Sequence, residues 1–151
     1  MKRRQVLGAT TGLLPAVAGC LADDSPSSPT SLSDLATIEF ELVDSEIEAE
    51  SPPEVSVDDD TITVRGTVRY GSSSCGTAKL AHAGYEDSQD RLDLLVIAAD
   101  DSEDISECTD DLVATGYRIE ATVDGRLRRI AATEHHVFGE TYSTTTDLTD
   151  Y

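Results

Sequence analysis

The sequence contains no asparagine and no tryptophan, and it has only two lysines. Without asparagine it offers no acceptor for an N-linked sugar. It contains no glycine-rich phosphate loop, no nucleophile elbow and no zinc-protease helix motif, so its motifs predict no enzyme activity. Its apolar stretch at residues 6–18 is interrupted by glycine, threonine and proline, and it is shorter than the roughly 20 apolar residues that a membrane-spanning helix needs.

The amino terminus has the three parts of an export signal. Basic residues that include Arg3 and Arg4 precede the short apolar stretch, and small residues follow it just before Cys20. A charged start before a short apolar core is typical of a secretory signal peptide, and the paired arginines indicate the twin-arginine route. We therefore expect residues 1–19 to be a signal peptide that is removed.

Residues 17–20, Val-Ala-Gly-Cys, resemble the lipobox of prokaryotic lipoproteins, with Val17 where leucine is most usual. The resemblance implies that Cys20 carries a two-chain lipid, which anchors stably because two chains hold where one is marginal. Residues 20–36 then form the lipidated cysteine and a serine-, proline- and aspartate-rich linker. We expect an extracytoplasmic protein, anchored to the outer face of the cell membrane through Cys20, with an unidentified envelope protein as its partner.

Acidic residues dominate the charge of the chain. It has 30 acidic and 11 basic residues, for a formal net charge of −19, and loss of the signal peptide would bring this to about −22. Such a field repels phosphates, so no nucleic acid is expected among the partners. It also destabilises a compact state through self-repulsion unless salt screens it, because the Debye length falls to about 3 Å at 1 M salt.

Acidic, lysine-poor lipoproteins with a twin-arginine signal resemble the secreted proteins of halophilic archaea. Within residues 71–137 a series of features follows an order similar to that of small lipoproteins of halophilic archaea: a cysteine after a strand, Tyr85, an apolar strand, a second cysteine, Tyr117 and Asp124-Gly125. This resemblance implies no particular activity, and it assigns a catalytic role to no residue.

Three cysteines are an odd number for an exported protein, and lipidation of Cys20 accounts for one of them. Cys75 and Cys108 are left to pair, which for their separation in sequence predicts a stabilisation of about 3.5 to 4 kcal/mol by loop entropy. A metal-thiolate pair and a redox dithiol are the alternatives. Both are weakened because neither cysteine has a second cysteine at two-residue spacing.

Alternation of apolar and polar residues predicts strands along most of residues 37–138. These strands are expected at residues 37–42, 61–70, 77–85, 91–99, 113–123 and 127–138, with a short extended piece at Val55 and Val57 in a longer loop. Short strands without a long helix predict an all-β fold, an antiparallel β-sandwich of immunoglobulin-like architecture with one disulfide. The absent tryptophan and the closeness of the cysteines leave its topology open. Residues 139–151 are expected as a threonine-rich tail whose pairing is open.

The dipeptide Asp124-Gly125 is the strongest hairpin signal, because both central residues of a type I′ turn need positive φ. A two-residue loop there would place Ile119 opposite Ile130 and Glu120 opposite Arg129.

Three smaller features are given structural explanations. Gly66 interrupts the apolar face of its strand and predicts a bulge or a close approach of backbone. The serines at residues 72–74 lie in a predicted loop and match no catalytic motif. A cluster of arginines lies at the end of the predicted hairpin, where we expect ion pairs with a neighbouring acidic strand: Arg126, Arg128 and Arg129.

Metal binding has two possible sources in the sequence. His135 and His136 are adjacent, with His82 as a possible third ligand, but neighbouring residues of a strand point to opposite faces. Residues 100–111 place acidic or hydroxyl groups at several positions of a calcium loop, yet Ile105 stands where the loop requires glycine. A solvated acidic loop is the expected alternative, and no metal or cofactor is assigned.

Three functions follow in order of preference. The first is a non-catalytic, lipid-anchored domain that binds or scaffolds proteins at the cell surface. The second is an accessory lipoprotein that binds a metal or a small solute through His82, His135 or residues 100–111. The third is an enzyme of unknown class, which would need a deep pocket with converging polar groups.

Overall fold

The computed structural model describes residues 35–103 and 107–149. The predicted signal peptide with Arg3 and Arg4, the lipidation site Cys20 and nearly all of the predicted linker lie outside these ranges. Within them, no helix has the length and apolar character to cross a membrane.

In the described residues eight strands form two four-stranded sheets. In chain order they are β1 (Leu35–Val43), β2 (Glu54–Asp58), β3 (Thr61–Gly71), β4 (Gly76–Glu86), β5 (Arg91–Asp100), β6 (Leu112–Val123), β7 (Arg129–His135) and β8 (Thr141–Asp147), with one 3-10 turn at Asp87–Gln89. The first sheet has the order β1-β6-β3-β2 and the second β4-β5-β7-β8. All neighbours are antiparallel except β5 and β7, which are parallel. The predicted all-β sandwich and its disulfide are confirmed.

The core lies between the two sheets and is built by strand alternation. Every second residue of the four central strands points inward, so each sheet presents one apolar face to the other. Complete burial of one such aliphatic side chain stabilises the fold by about 1.5–3 kcal/mol. The fully enclosed members are Ile62, Val64, Val68, Leu92, Val96, Tyr117, Ile119, Ala121, Ile130 and Ala132.

The hairpin predicted at Asp124-Gly125 is wrong. β6 belongs to the first sheet and β7 to the second, so residues 124–128 carry the chain across the sandwich. Neither residue of the dipeptide adopts the positive φ that a type I′ turn needs. The two strands therefore lie in opposite sheets and do not pair; across the sandwich β6 packs against β4, and β7 packs against β3.

The predicted cross-strand pairs of that hairpin are replaced by others. Ile119 lies between Phe40 and Val64, and Glu120 lies between Glu39 and Thr63. In the other sheet, Ile130 lies between Leu92 and Thr146, and Arg129 lies between Arg91 and Asp147. Alternation set the inward faces correctly, but it does not specify which strand is the neighbour.

The predicted threonine-rich tail is part of the sandwich. β7 ends at His135 rather than near Phe138, and a turn that includes Gly139, at φ 90°, returns the chain as β8. β8 pairs along the whole of β7, and the Thr144 hydroxyl donates a hydrogen bond to the Pro53 carbonyl at 2.5 Å. The domain boundary predicted at residue 138 is therefore too early, because the β-branched threonines supply a half-buried edge strand.

The topology gives the sandwich two distinct ends. At the near end the described chain begins, with Leu35 beside Val123, and the segment that joins β6 to β7 crosses between the sheets. At the far end β3 finishes beside the start of β6, with Gly71 opposite Leu112, and the Cys75–Cys108 disulfide lies there.

Candidate functional site

A groove of about 550 Å³ opens at the far end, and we call it the far groove. One wall is residues 97–100 of β5, and the other is formed by Tyr70 and Gly71 of β3 together with Val137. The Cys75–Cys108 disulfide and the histidines that end β7 complete its lining. Its volume lies within the range of ordinary ligand sites.

The backbone edge of β5 is open along the far groove. β5 pairs with β7 only as far as Ile97, opposite His135, but with β4 as far as Asp100, opposite Gly76. The Asp101 N–H donates to the Cys75 carbonyl at 2.6 Å, which makes Asp100 and Gly76 a pair without hydrogen bonds between them. The N–H and C=O of Asp100 therefore point away from β4 and towards the groove.

The far groove exists because β7 stops pairing with β5 at His135. The segment that follows β7 hydrogen-bonds to β3 instead. The Val137 N–H donates to the Arg69 carbonyl at 3.1 Å, and the Arg69 N–H donates to His136 Nδ1 at 3.2 Å. β2 stops pairing with β3 at Arg65, so this edge of β3 is open to receive them. Residues 136–137 thus occupy a strand position beside β3 in the first sheet. They leave the position beside the end of β5 in the second sheet empty.

A buried carboxyl group, that of Glu134, contacts His136 of the far groove lining. Glu134 is fully enclosed between the sheets, and its Oε1 accepts a hydrogen bond from the Tyr117 hydroxyl at 2.7 Å. A Cβ at residue 66 would overlap the same Oε1, so Gly66 makes room for the carboxyl group. The group that approaches Gly66 closely is thus a side chain, and among the described residues neither a bulge nor a second backbone lies there.

Burial governs the protonation of these two groups. Burial raises the pKa of Glu134 to about 7, although the Tyr117 hydroxyl and the Thr67 backbone act in the opposite direction by hydrogen bonding to it. Burial also raises the pKa of the Tyr117 phenol, and the nearby Glu134 charge and their hydrogen bond raise it further. Tyr117 therefore donates to a carboxyl group that changes charge near neutral pH.

His136 is committed to hydrogen bonds that link the two sheets. A backbone N–H can only donate, so Nδ1 of His136 holds a lone pair towards Arg69, and in the neutral ring the proton is on Nε2. Nε2 lies 3.4 Å from Glu134 Oε2, to which it donates. Burial lowers the pKa of His136 and favours this neutral form. Because a metal needs a nitrogen lone pair, the contacts of this ring do not suit the metal role considered for it.

The other two histidines are exposed and lie apart. His82 on β4 stands opposite Leu95, and His135 on β7 stands opposite Ile97. The strand β5 separates them, which corresponds to about 10 Å between the two backbones. In the described ranges no three His, Cys, Asp or Glu side chains are grouped to hold a metal ion.

The serines beside Cys75 are occupied in holding the disulfide loop. Ser72 Oγ lies 2.9 Å from Thr109 Oγ1, and the Ser73 N–H donates to Asp111 Oδ1 at 2.9 Å. Hydrogen bonds from Thr109 and Ser73 lower the pKa of Asp111 to about 2. Asp111 is thus engaged at the last position of the acidic stretch 100–111, of which residues 104–106, including Ile105, lie outside the described ranges.

The arginine cluster at the near end lines a cleft of about 770 Å³. Arg128 Nε lies 3.2 Å from Asp90 Oδ2, and Arg129 Nε lies 2.6 Å from Asp147 Oδ1. The pair of Arg129 with β8 is of the kind expected, whereas Asp90, the partner of Arg128, lies just before β5. The neighbouring carboxylates offset the positive charge there, so the cleft is a weaker candidate than the far groove.

The buried carboxylate was not predicted from the sequence, although a signal for it exists. Glu134 continues the inward phase of Ile130 and Ala132 along β7, and a charged residue in that phase needs a buried partner. The facing signal is Gly66, a missing side chain on the inward face of β3. An inward glutamate and an inward glycine together indicate that the carboxyl group fills the space left by the missing glycine side chain.

The far groove offers a surface for a ligand, whereas the carboxyl group of Glu134 is enclosed in protein and is not presented to solvent. The site is therefore described by a shape and an open strand edge and not by a set of converging reactive groups. Comparison with protein-family models, with curated proteins and with solved structures finds no match to this chain.

Proposed function

We propose that this protein is a lipid-anchored, extracytoplasmic domain without catalytic activity that binds another envelope protein through its far end. The observation that carries the proposal is the separation of the two ends. The described chain begins at Leu35 on the near end, whereas the far groove opens at the other. A lipid on Cys20 would therefore tether the near end and leave the far groove directed away from the attachment.

The linker is long enough to hold the domain clear of a membrane. About 15 residues separate Cys20 from Leu35, and a flexible chain of that length spans roughly 20 Å on average, or about 50 Å when extended. The far groove would then be accessible to a protein in the same envelope.

Exposed apolar side chains at the far end favour a protein partner. Phe138 is 74% exposed, Leu112 is 48% exposed and Val137 is 39% exposed. Leu112 lies opposite the end of β3, and the other two follow β7. Single exposed apolar residues are ordinary, but a group of them beside a groove is typical of an interaction site.

Photo-crosslinking in intact cells tests the binding role. A crosslinking amino acid at Phe138 is expected to capture a specific envelope protein, whereas the same group at Asp124, exposed at the near end, is the matched control. Equal capture from both positions, or capture from Asp124 alone, would contradict binding through the far end.

The anchoring role has a separate test. The intact mass of the native protein is expected to correspond to a chain that begins at Cys20 with a two-chain lipid, and Cys20→Ser is expected to abolish lipidation. A mature native chain with an unmodified thiol at Cys20 would contradict anchoring.

A further inference from the structure

We propose that the far groove binds an extended segment of the partner as a short added strand on the open edge of β5, with apolar side chains in the groove and basic residues at its flanks. This inference rests on the proposed function and specifies the chemistry of the partner.

The backbone of β5 supplies the pairing groups. Asp100 directs its N–H and C=O towards the groove, and in the described part of the chain no strand pairs with β5 on this side beyond Ile97. The groove occupies the space that a longer β7 would fill. An extended peptide in that space can hydrogen-bond to residues 98–100, which span about 10 Å, and this is the recognised mode of strand addition.

The walls of the groove select apolar side chains at alternate positions. Tyr70 and Val137 form the wall opposite β5, and Ile97 lies where the pairing with β7 ends. Successive side chains of a strand point to opposite sides, so every second residue of the peptide would enter the groove. Valine or isoleucine suits these positions because β-branched side chains pack well in strands.

Charge around the groove selects basic flanks. Asp100, Asp101, Asp110 and Glu140 are exposed on the residues that surround it. The nearby cation Arg69 is already paired with Glu50. Acidic residues at the rim attract a segment with lysine or arginine at its ends and repel one with acidic ends.

Synthetic peptides provide the test, with the full-length lipidated protein in nanodiscs. The probe is a nonapeptide with valine at alternate central positions and two arginines at each end, measured by fluorescence anisotropy. A second peptide carries N-methyl groups on the central amides, and a third carries glutamates at its ends. We expect N-methylation to weaken binding by roughly tenfold or more, because each lost hydrogen bond is worth about threefold to tenfold.

Four variants locate the peptide. Asp100→Asn keeps the backbone N–H and removes only the charge, whereas Asp100→Pro also removes the N–H that faces the groove. The proline variant is expected to bind the probe at least threefold more weakly than the asparagine variant. Residue 100 continues the inward phase of Leu94 and Val96, so Asp100→Trp keeps the N–H and is expected to block the groove by filling it. Asp100→Asn controls for the lost charge, and Thr145→Trp on the outer face of β8 is the matched control for the added ring. Circular dichroism checks that each variant is folded, and the tryptophan pair decides the outcome if Asp100→Pro does not fold.

Three results would overturn the inference. They are equal affinity for methylated and unmethylated probes, the same affinity in Asp100→Trp as in Asp100→Asn, and a dimer of the protein that Asp100→Trp dissociates, which would make a second copy the occupant. The crosslinking test at Phe138 remains independent of these, so failure of strand addition is distinguishable from failure of the proposed function.

Discussion

A missing side chain and a buried charge depend on each other at the centre of this sandwich. Gly66 leaves a gap on the inward face of β3, and the Glu134 carboxyl group fills it and accepts a hydrogen bond from Tyr117. A carboxyl group enclosed by protein is costly unless it is hydrogen-bonded. The packing at residue 66 and the protonation of Glu134 are therefore linked.

Gly66→Ala is expected to destabilise the protein by at least about 2 kcal/mol, because the added methyl group overlaps Glu134 Oε1 and approaches the Tyr117 hydroxyl. Urea unfolding followed by circular dichroism measures the loss. Gly71→Ala is the matched control on the same strand, since its Cβ would meet Val137 Cγ2 at an ordinary 3.5 Å. A similar small change in both variants would contradict the packing argument.

Glu134 should make stability depend on pH near neutrality. Its pKa of about 7 in the folded protein lies above the value of 4.5 for an unperturbed glutamate, so the folded state binds the proton more tightly. This stabilisation is complete below pH 4.5 and is lost as the pH rises through 7. His136 acts with the opposite sign, because its lowered pKa removes stability as the pH falls below 6.5.

The window from pH 6.5 to 7.5 is centred on the titration of the carboxyl group. Across it the carboxyl group alone is expected to lower the free energy of unfolding by roughly 0.7 kcal/mol, which His136 offsets in part at the lower end. Glu134→Gln, which cannot titrate, should remove most of that dependence. Urea titrations at several pH values compare the two proteins, and an equal slope in both would show that Glu134 is not responsible.

At the level of strands, the disulfide joins the two sheets close to the first residues of β4 and β6. Cys75 directly precedes β4 in the second sheet, and Cys108 lies shortly before β6 in the first. Serine and threonine hydroxyls around it fix the loop.

Replacing both Cys75 and Cys108 with alanine is expected to cost about 3 to 4 kcal/mol, because the unfolded chain loses the constraint of a loop that spans 33 positions. Unfolding of the wild-type protein in reductant should match the double variant. An unfolding midpoint in urea that is the same with and without the disulfide would contradict this estimate.

β8 is expected to contribute through its inward threonines. Thr144→Val removes the hydrogen bond to the Pro53 carbonyl and is expected to cost about 1 kcal/mol. Thr145→Val, which changes the exposed neighbour on the same strand, is expected to stay within about 0.5 kcal/mol of the wild type. Chemical denaturation distinguishes them, and a larger effect at Thr145 would mean that β8 is oriented differently.

The strands show what the sequence could predict and what it could not. Alternation identified β3, β5 and β6 with their inward faces, because periodicity is a local property. It failed for the pairing of β6, since the dipeptide Asp124-Gly125 is equally compatible with a crossing between sheets. The far groove was beyond prediction because it depends on where β5 and β7 stop relative to each other.

The whole molecule carries an excess of negative charge that its surface does not neutralise. On the outer face of the first sheet, Glu39 stands directly opposite Glu120, a pairing of like charges that is unfavourable. Arg118 lies between carboxylates, with its guanidinium bonded to Glu41 and Glu120. One arginine shared by two carboxylates leaves repulsion that only salt can screen.

Stability is therefore expected to increase with salt. The thermal midpoint should rise between 0.1 M and 1 M potassium chloride, over which the screening length falls from about 10 Å to about 3 Å. Circular dichroism at constant pH gives the midpoint. Sucrose is the uncharged control that strengthens burial without screening, and a midpoint that is equal or higher at 0.1 M salt would contradict the role of repulsion.

The parallel contact between β5 and β7 constrains the order of folding. β6 lies between these strands in the chain but in the opposite layer, so the pair closes only after the intervening segment has crossed the sandwich and returned. No local hairpin can nucleate that contact. The entropy cost of closing the intervening segment is incurred before the two strands form any hydrogen bonds. Refolding is therefore expected on the slow time scale of non-local β proteins, milliseconds to seconds, with the second layer completed last.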